Sequence, residues 1–237
     1  YRRARPHNEP KASKPIQSIL RERNLDPVSN EGITHPIRLA ILLSGSGRTL
    51  ENLLRQQKAG ELAASINLVV SNRKDVRGVT IAEEADIPTV VSIKGDATLE
   101  AWSSVLFDHC RAANVDFVVM AGFLQLVRIP ADFEHRVINI HPSLLPAFGG
   151  KGFYGIRVHS AVIEHGCTTS GCTVHFVDNE YDHGPILLQS QVPVTTDDTP
   201  ESLAARVFLA ECEALPEAIN VLSEKHQAKK HQVKQKS

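Results

Sequence analysis

Residues 37–43, IRLAILL, form a run that is apolar save for Arg38 and stops abruptly at S-G-S-G-R-T. LENLLRQQKAG follows, with Leu50, Leu53 and Leu54 at helical spacing and Gly60 at its end. A strand without polar alternates is buried on both faces, and that demands a parallel sheet covered by helices above and below. The pattern repeats. SINLVVSN (65–72), PTVVSI (88–93), VDFVVMAG (115–122) and VINIH (137–141) read as strands, separated by the helical stretches VRGVTIAEEADI and ATLEAWSSVLFDHCRAA. Alternation of this kind builds βαβ units.

The fold class expected is therefore α/β, a Rossmann-like, mostly parallel sheet with helices on both faces. Past His141 the texture changes. HPSLLPAFGGKGFYG (141–155) is irregular, and RVHSAVIEHG is a short helix. GCTVHFV (171–177) and ILLQSQVPV (186–194) are strands around DNEYDHGP, which fits a hairpin or an antiparallel edge. A last helix starts at an N-cap, Thr199, and Pro216 is expected to interrupt it. The chain divides into a partly flexible extension (1–36), a domain (37–222) and a basic flexible tail (223–237).

Charge sharpens this division. Residues 37–222 hold 14 Lys/Arg against 22 Asp/Glu, while the overall net charge is −1. An acidic domain does not attract anions globally, so an anionic substrate needs a local device. Nucleic acid is not expected as a partner. No apolar run approaches the roughly 18 residues of a membrane span, and the basic start lacks the apolar stretch of a secretory signal. Cys110, Cys167, Cys172 and Cys212 have no C-x-x-C spacing and read as free thiols, hence a cytoplasmic expectation. The histidines lack metal-binding spacing, and no metal is expected.

In open α/β sheets ligands sit beyond the carboxyl ends of strands, which directs attention to Ser44–Thr49, Ala121–Val127 and the segment from Asn139. The loop Gly45-Ser46-Gly47-Arg48-Thr49 lets backbone N–H groups and a helix start approach a phosphate. It lacks the third Gly of a dinucleotide fingerprint and the Lys of a Walker loop, so a turn that binds nothing is the alternative. Asn139 and His141 alternate at a strand end and so share a face. A carboxamide and an imidazole there can donate to an oxygen that gains negative charge, or can be structural. Asp178, Glu180 and Asp182 share one loop. They read as a solvated turn, as a cation site short of ligands, or as the source of a carboxylate that holds His141 and raises its pKa.

The run N-I-H-P-S-L-L-P, then G-C-T-V-H-F-V, then D-H-G-P-I-L-L-Q resembles the phosphoribosylglycinamide formyltransferases, from about Ile37 to Pro216. The resemblance implies formyl transfer from 10-formyltetrahydrofolate to the glycine amine of glycinamide ribonucleotide, in purine synthesis. The enzyme would work without a metal, nucleic acid or membrane, as a monomer or homodimer. It implies Asn139, His141 and Asp182 as catalytic residues, with His175 near the site. Gly45, Ser46, Gly47, Arg48 and Thr49 would hold the phosphate, and Glu211 the ribose. Leu124, Gln125, Leu126 and Val127, with Asp178, Asn179, Glu180, Tyr181 and Asp182, would hold the folate.

The chain departs from the family's usual pattern at Arg48-Thr49, where Ser-Asn is common, at Phe208, often polar, and near Leu99, where some members carry Arg. Other readings are a formyltetrahydrofolate deformylase, a formyltransferase for another amine, and a non-catalytic nucleotide-binding module. The first resembles N-I-H-H-S behind a regulatory domain, whereas this chain has N-I-H-P-S and a short extension. The second usually carries a large C-terminal domain. The third makes Asn139, His141 and Asp182 coincidental.

Overall fold

A computed structural model describes the backbone of residues 36–234 and the side chains of 36–232. The proposed extension at 1–36 thus lies almost wholly outside the described residues. The described strands are β1 (Ile37–Leu43), β2 (Ala64–Ser71), β3 (Thr89–Val91), β4 (Phe117–Met120), β5 (Val137–His141), β6 (Thr169–Phe176) and β7 (Ile186–Pro193). The helices are α1 (Arg48–Ala59), α2 (Arg77–Glu84), α3 (Leu99–Ala112), α4 (Ile156–Glu164) and α5 (Pro200–Lys234). The seven strands form one sheet in the order β3-β2-β1-β4-β5-β6-β7. Pairings from β3 to β5 are parallel, while β5–β6 and β6–β7 are antiparallel.

β1 shows why its run is apolar. Ile37, Leu39, Ile41 and Leu43 face one core, with α1, α4 and α5 packed over it. Ala40 and Leu42 face the other, under Trp102, Leu106 and Phe107 of α3. Both faces are dry, as a central parallel strand requires. β1 pairs with β2 on one side and β4 on the other, so strand order reverses there and opens a crevice at the carboxyl ends.

The last helix differs from its sequence reading. Thr199 does cap it: its Oγ1 accepts from Ser202 N at 3.2 Å, and Ser202 Oγ accepts from Thr199 N at 3.0 Å. Pro216, however, lies inside α5 without ending it. A proline cannot donate to the carbonyl four residues back, here that of Cys212. That carbonyl instead accepts from Asn52 Nδ2 (2.9 Å) and Gln56 Nε2 (3.1 Å) of α1. Nor is 223–234 a loose tail. Ser223 is buried, the His226 ring meets Phe117 edge-on at 5.6 Å, and His226 Nε2 and Lys230 Nζ lie 3.4 and 3.7 Å from Asp116 Oδ1. Burial would raise the Asp116 pKa, but hydrogen bonds from the Arg38 side chain and backbone outweigh it and hold the carboxyl at about 2.

Candidate functional site

The β1–α1 turn is set by Gly47, whose φ of 71° suits glycine. A Cβ there would run into the Gly78 backbone, and Gly78 N donates to Gly45 O at 3.0 Å. No side chain caps α1; Glu51 N donates to Gly47 O at 2.9 Å, and no side chain occupies the N–H groups ahead of it. Gly45, Ser46 and Gly47 form the turn behind Arg48 and Thr49, which line a cleft of about 570 Å³. The guanidinium of Arg48 lies 3.7 Å over the Phe208 ring, and Phe208 and Glu211 of α5 line the same cleft.

The other end of the cleft belongs to β5 and its neighbours. In the β5–β6 register Asn139 stands opposite His175, which places both side chains on one face. Asn139 Nδ2 is 3.1 Å from His175 Nε2 and 3.4 Å from Asp182 Oδ1. His175 Nδ1 sits 2.9 Å from the Phe176 carbonyl. A carbonyl only accepts, so the proton belongs on Nδ1, and Nε2 is left to accept from Asn139. His141 Nδ1 is 3.5 Å from Asp182 Oδ2, and its Nε2 is 2.9 Å from the Phe148 carbonyl. Asp182 takes a φ of 52°, which aspartate tolerates better than most residues, and its Oδ2 accepts from Gly150 N at 2.9 Å.

The loop that carries Phe148 is pinned from below by one hydroxyl. Thr173 Oγ1 donates to Ser143 O (2.7 Å) and accepts from Leu145 N (3.0 Å) and Gln189 Nε2 (2.9 Å), which uses its whole capacity.

Both nitrogens of His141 face acceptors, an arrangement that suits the imidazolium. Burial is nonetheless the larger influence and pulls its pKa below 6.5, with Asp182 and the Phe148 carbonyl recovering part. This reverses the expected upward shift, because a ring only 4% exposed loses more solvation than one carboxylate returns. Burial pushes the Asp182 carboxyl upward, but its polar neighbours, among them His141 and the Gly150 N–H, outweigh it and lower its pKa. Burial raises Glu211 to about 7 against a lowering by Arg48.

Of the residues expected to hold folate, Leu124, Tyr181 and Asp182 line the main cleft. Gln125, Leu126, Val127 and Glu180, with His175, line a smaller recess of about 60 Å³ that shares Asn139, Tyr181 and Asp182 with it. Asp178 and Asn179 line neither. Asp178 Oδ2 accepts from the His183 ring at 2.7 Å, and Asn179 Oδ1 accepts from Ile129 N at 3.0 Å, so they hold the loop's shape. Sequence reasoning missed Lys151, Phe153 and Tyr154, which the glycine-rich stretch after His141 hangs over the cleft. It also missed His159, buried in the cleft wall with Nδ1 unpartnered; burial, with His141 adding to it, lowers its pKa to about 4. A lone histidine in a helical pattern gave no signal. Among the described residues no three His, Cys, Asp or Glu side chains are grouped to hold a metal, and no helix is long and apolar enough to cross a membrane.

Hydrogen-bond donors for an oxyanion, a carboxylate beside an imidazole and a cleft at a switch in strand order are the parts of an acyl-transfer site. The formyl transferase family model matches residues 37–219, and the chain belongs to that family. It is 42% identical over 190 residues to a phosphoribosylglycinamide formyltransferase, chloroplastic, of Vigna unguiculata, covering 79% of this chain and 61% of that one. It is also 42% identical over 201 residues to the protein of the same name in Arabidopsis thaliana, covering 82% and 69%. The chain thus spans about two thirds of these curated relatives. A glycinamide ribonucleotide transformylase from Symbiobacterium toebii superposes with a TM-score of 0.75 at 37% identity, over 81% of this chain and 90% of that one.

Proposed function

We propose that the chain transfers the formyl group of 10-formyltetrahydrofolate to the glycine amine of glycinamide ribonucleotide, in purine synthesis. The observation that carries the reading is one cleft with Asn139, His141 and Asp182 at one end and Arg48, Thr49 and Glu211 at the other. The first end fits the reacting carbonyl and amine, the second a phosphate and ribose.

Attack of the amine on the formyl carbon puts negative charge on the formyl oxygen. Asn139 and His141 donate to it, and one such donor is typically worth about 2.7–4 kcal/mol. His141 must then turn its Nε2–H from the Phe148 carbonyl to the substrate. His175 accepts one N–H of the Asn139 amide and so fixes its orientation, and the other N–H turns from Asp182 Oδ1 to the formyl oxygen. Asp182 accepts the proton that the amine loses, through water, and it passes to the departing folate nitrogen. The recess at Gln125–Val127 and Tyr181 takes the folate ring, and holding both substrates in one cleft removes much of the entropic barrier. The protein acts as a monomer or homodimer. Its four free thiols suit a reducing compartment, cytoplasm or, as the names of the plant relatives have it, chloroplast.

The competing reaction, hydrolysis of the formyl donor, needs no phosphate end. An assay with 10-formyltetrahydrofolate, with and without glycinamide ribonucleotide, separates the two. Transfer only when the acceptor is present is the expected result, and formate release without it would support a deformylase.

A further inference from the structure

We propose that Phe208 is a positioning residue: its ring holds the Arg48 guanidinium off Glu211 and turns its N–H edge toward the phosphate of the acceptor. The inference rests on reading the Arg48 end of the cleft as the phosphate end.

On α5 the core-facing stripe is Leu203, Val207, Ala210 and Ala214, all buried. Phe208 lies off that stripe. With Ala204 and Glu211 it forms a second row that faces the cleft. An aromatic side chain that fills no core needs another reason to be there. The reason is visible in its contact: the Arg48 guanidinium, which arrives from α1, sits 3.7 Å above the ring centroid. Among the described residues Arg48 makes no ion pair within 4.0 Å, and no protein hydrogen bond of its guanidinium accompanies the stack.

Stacking uses the face of a guanidinium and leaves the N–H groups of its edge free. Those groups form the fork that matches phosphate oxygens two at a time. Glu211 is the hazard. Its carboxylate lines the same cleft and attracts Arg48, and an ion pair between them would consume the fork. Burial keeps part of the Glu211 population neutral near pH 7 and weakens that pull, while the ring gives the guanidinium another place to rest. In a domain with an excess of acidic residues, Arg48, beside the start of α1, stays available for an anion, whereas Arg77 nearby is paired with Glu51 at 2.8 Å.

Steady-state kinetics at saturating formyl donor test the proposal. Phe208→Leu is expected to raise KM for glycinamide ribonucleotide about tenfold with little change in kcat, and Phe208→Tyr to keep the wild-type value. Arg48→Ala should raise KM at least as far, and Phe208→Leu added to it should raise KM no further. With the phosphate-free acceptor, glycinamide riboside, Phe208→Leu should change nothing. An unchanged KM in Phe208→Leu, effects that multiply in the double variant, or equal losses with the riboside would overturn the proposal. A wild-type enzyme inert toward the ribonucleotide would instead sink the proposed function. Titration with inorganic phosphate, followed by phosphorus NMR, then still decides the pair: weaker binding in Phe208→Leu supports it, and equal binding overturns it.

Discussion

His141 is held between a carboxylate and a backbone carbonyl inside a wall that excludes water, and these influences oppose one another. Burial wins in the resting site, so the ring is less basic than a free histidine and a better proton donor once charged. Asp182 is the main group that resists. Asp182→Asn is therefore expected to lower the His141 pKa further, as read by NMR titration, and to cut kcat at least ~100-fold. His141→Ala should cost as much, and the double variant little more than the worse single one, because the two act as a unit. Fully additive losses would remove Asp182 from the reaction.

Glu211 gives a pH signature of its own. Its folded pKa of about 7 lies above the ordinary 4.5, so folding favours the protonated form. The stabilisation is present below pH 4.5 and is lost as pH rises through 7. Glu211→Gln should match the wild type in thermal stability near pH 4. It should exceed it above pH 8, by at most about 3 kcal/mol. Equal melting temperatures across that range would show the carboxyl to be well solvated.

At the scale of elements, Thr173 of β6 shows how a strand fixes an irregular loop. Its single hydroxyl satisfies Ser143, Leu145 and Gln189, and so sets the path that ends at the Phe148 carbonyl over His141. Thr173→Val keeps the shape and removes those bonds inside a buried site. Denaturant unfolding should show a loss of about 2 kcal/mol. Turnover should fall as well, since the loop that positions His141 loses its anchor. A stability loss with kcat intact would mean that the loop holds its path by other contacts. The long helix α5 teaches a similar lesson. A proline in mid-helix is tolerated where a neighbouring helix supplies donors to the carbonyl it orphans, as Asn52 and Gln56 do for Cys212.

Across the whole molecule the chemistry and the helix end occupy opposite poles of the sheet. The cleft lies past the carboxyl ends of β1, β4 and β5, whereas His226 and Lys230 reach Asp116, just before the start of β4. Deleting 225–237 should therefore lower the melting temperature by roughly 2–4 °C and leave kcat and both KM values unchanged. Activity lost without unfolding would show that this end contributes to the site or to an oligomer.

The sequence by itself determined what depends on short-range periodicity. The apolar β1 run and the strand–helix alternation after it required a covered parallel sheet, and the spacing of two put Asn139 and His141 on one face. Composition made the domain acidic, so that an anionic substrate would need a local device. Only the tertiary structure decided what depends on pairing between distant segments. The antiparallel register of β5 and β6 brings His175 opposite Asn139, and a left-handed turn at Asp182 returns its carboxylate to His141. Arg48 meets Phe208 across 160 residues, and Pro216 is accommodated by donors on another helix. Local patterns carry the hydrophobic face of each element, because burial repeats with its period. They carry no record of which faces meet, because that is settled by register and packing once the elements are assembled.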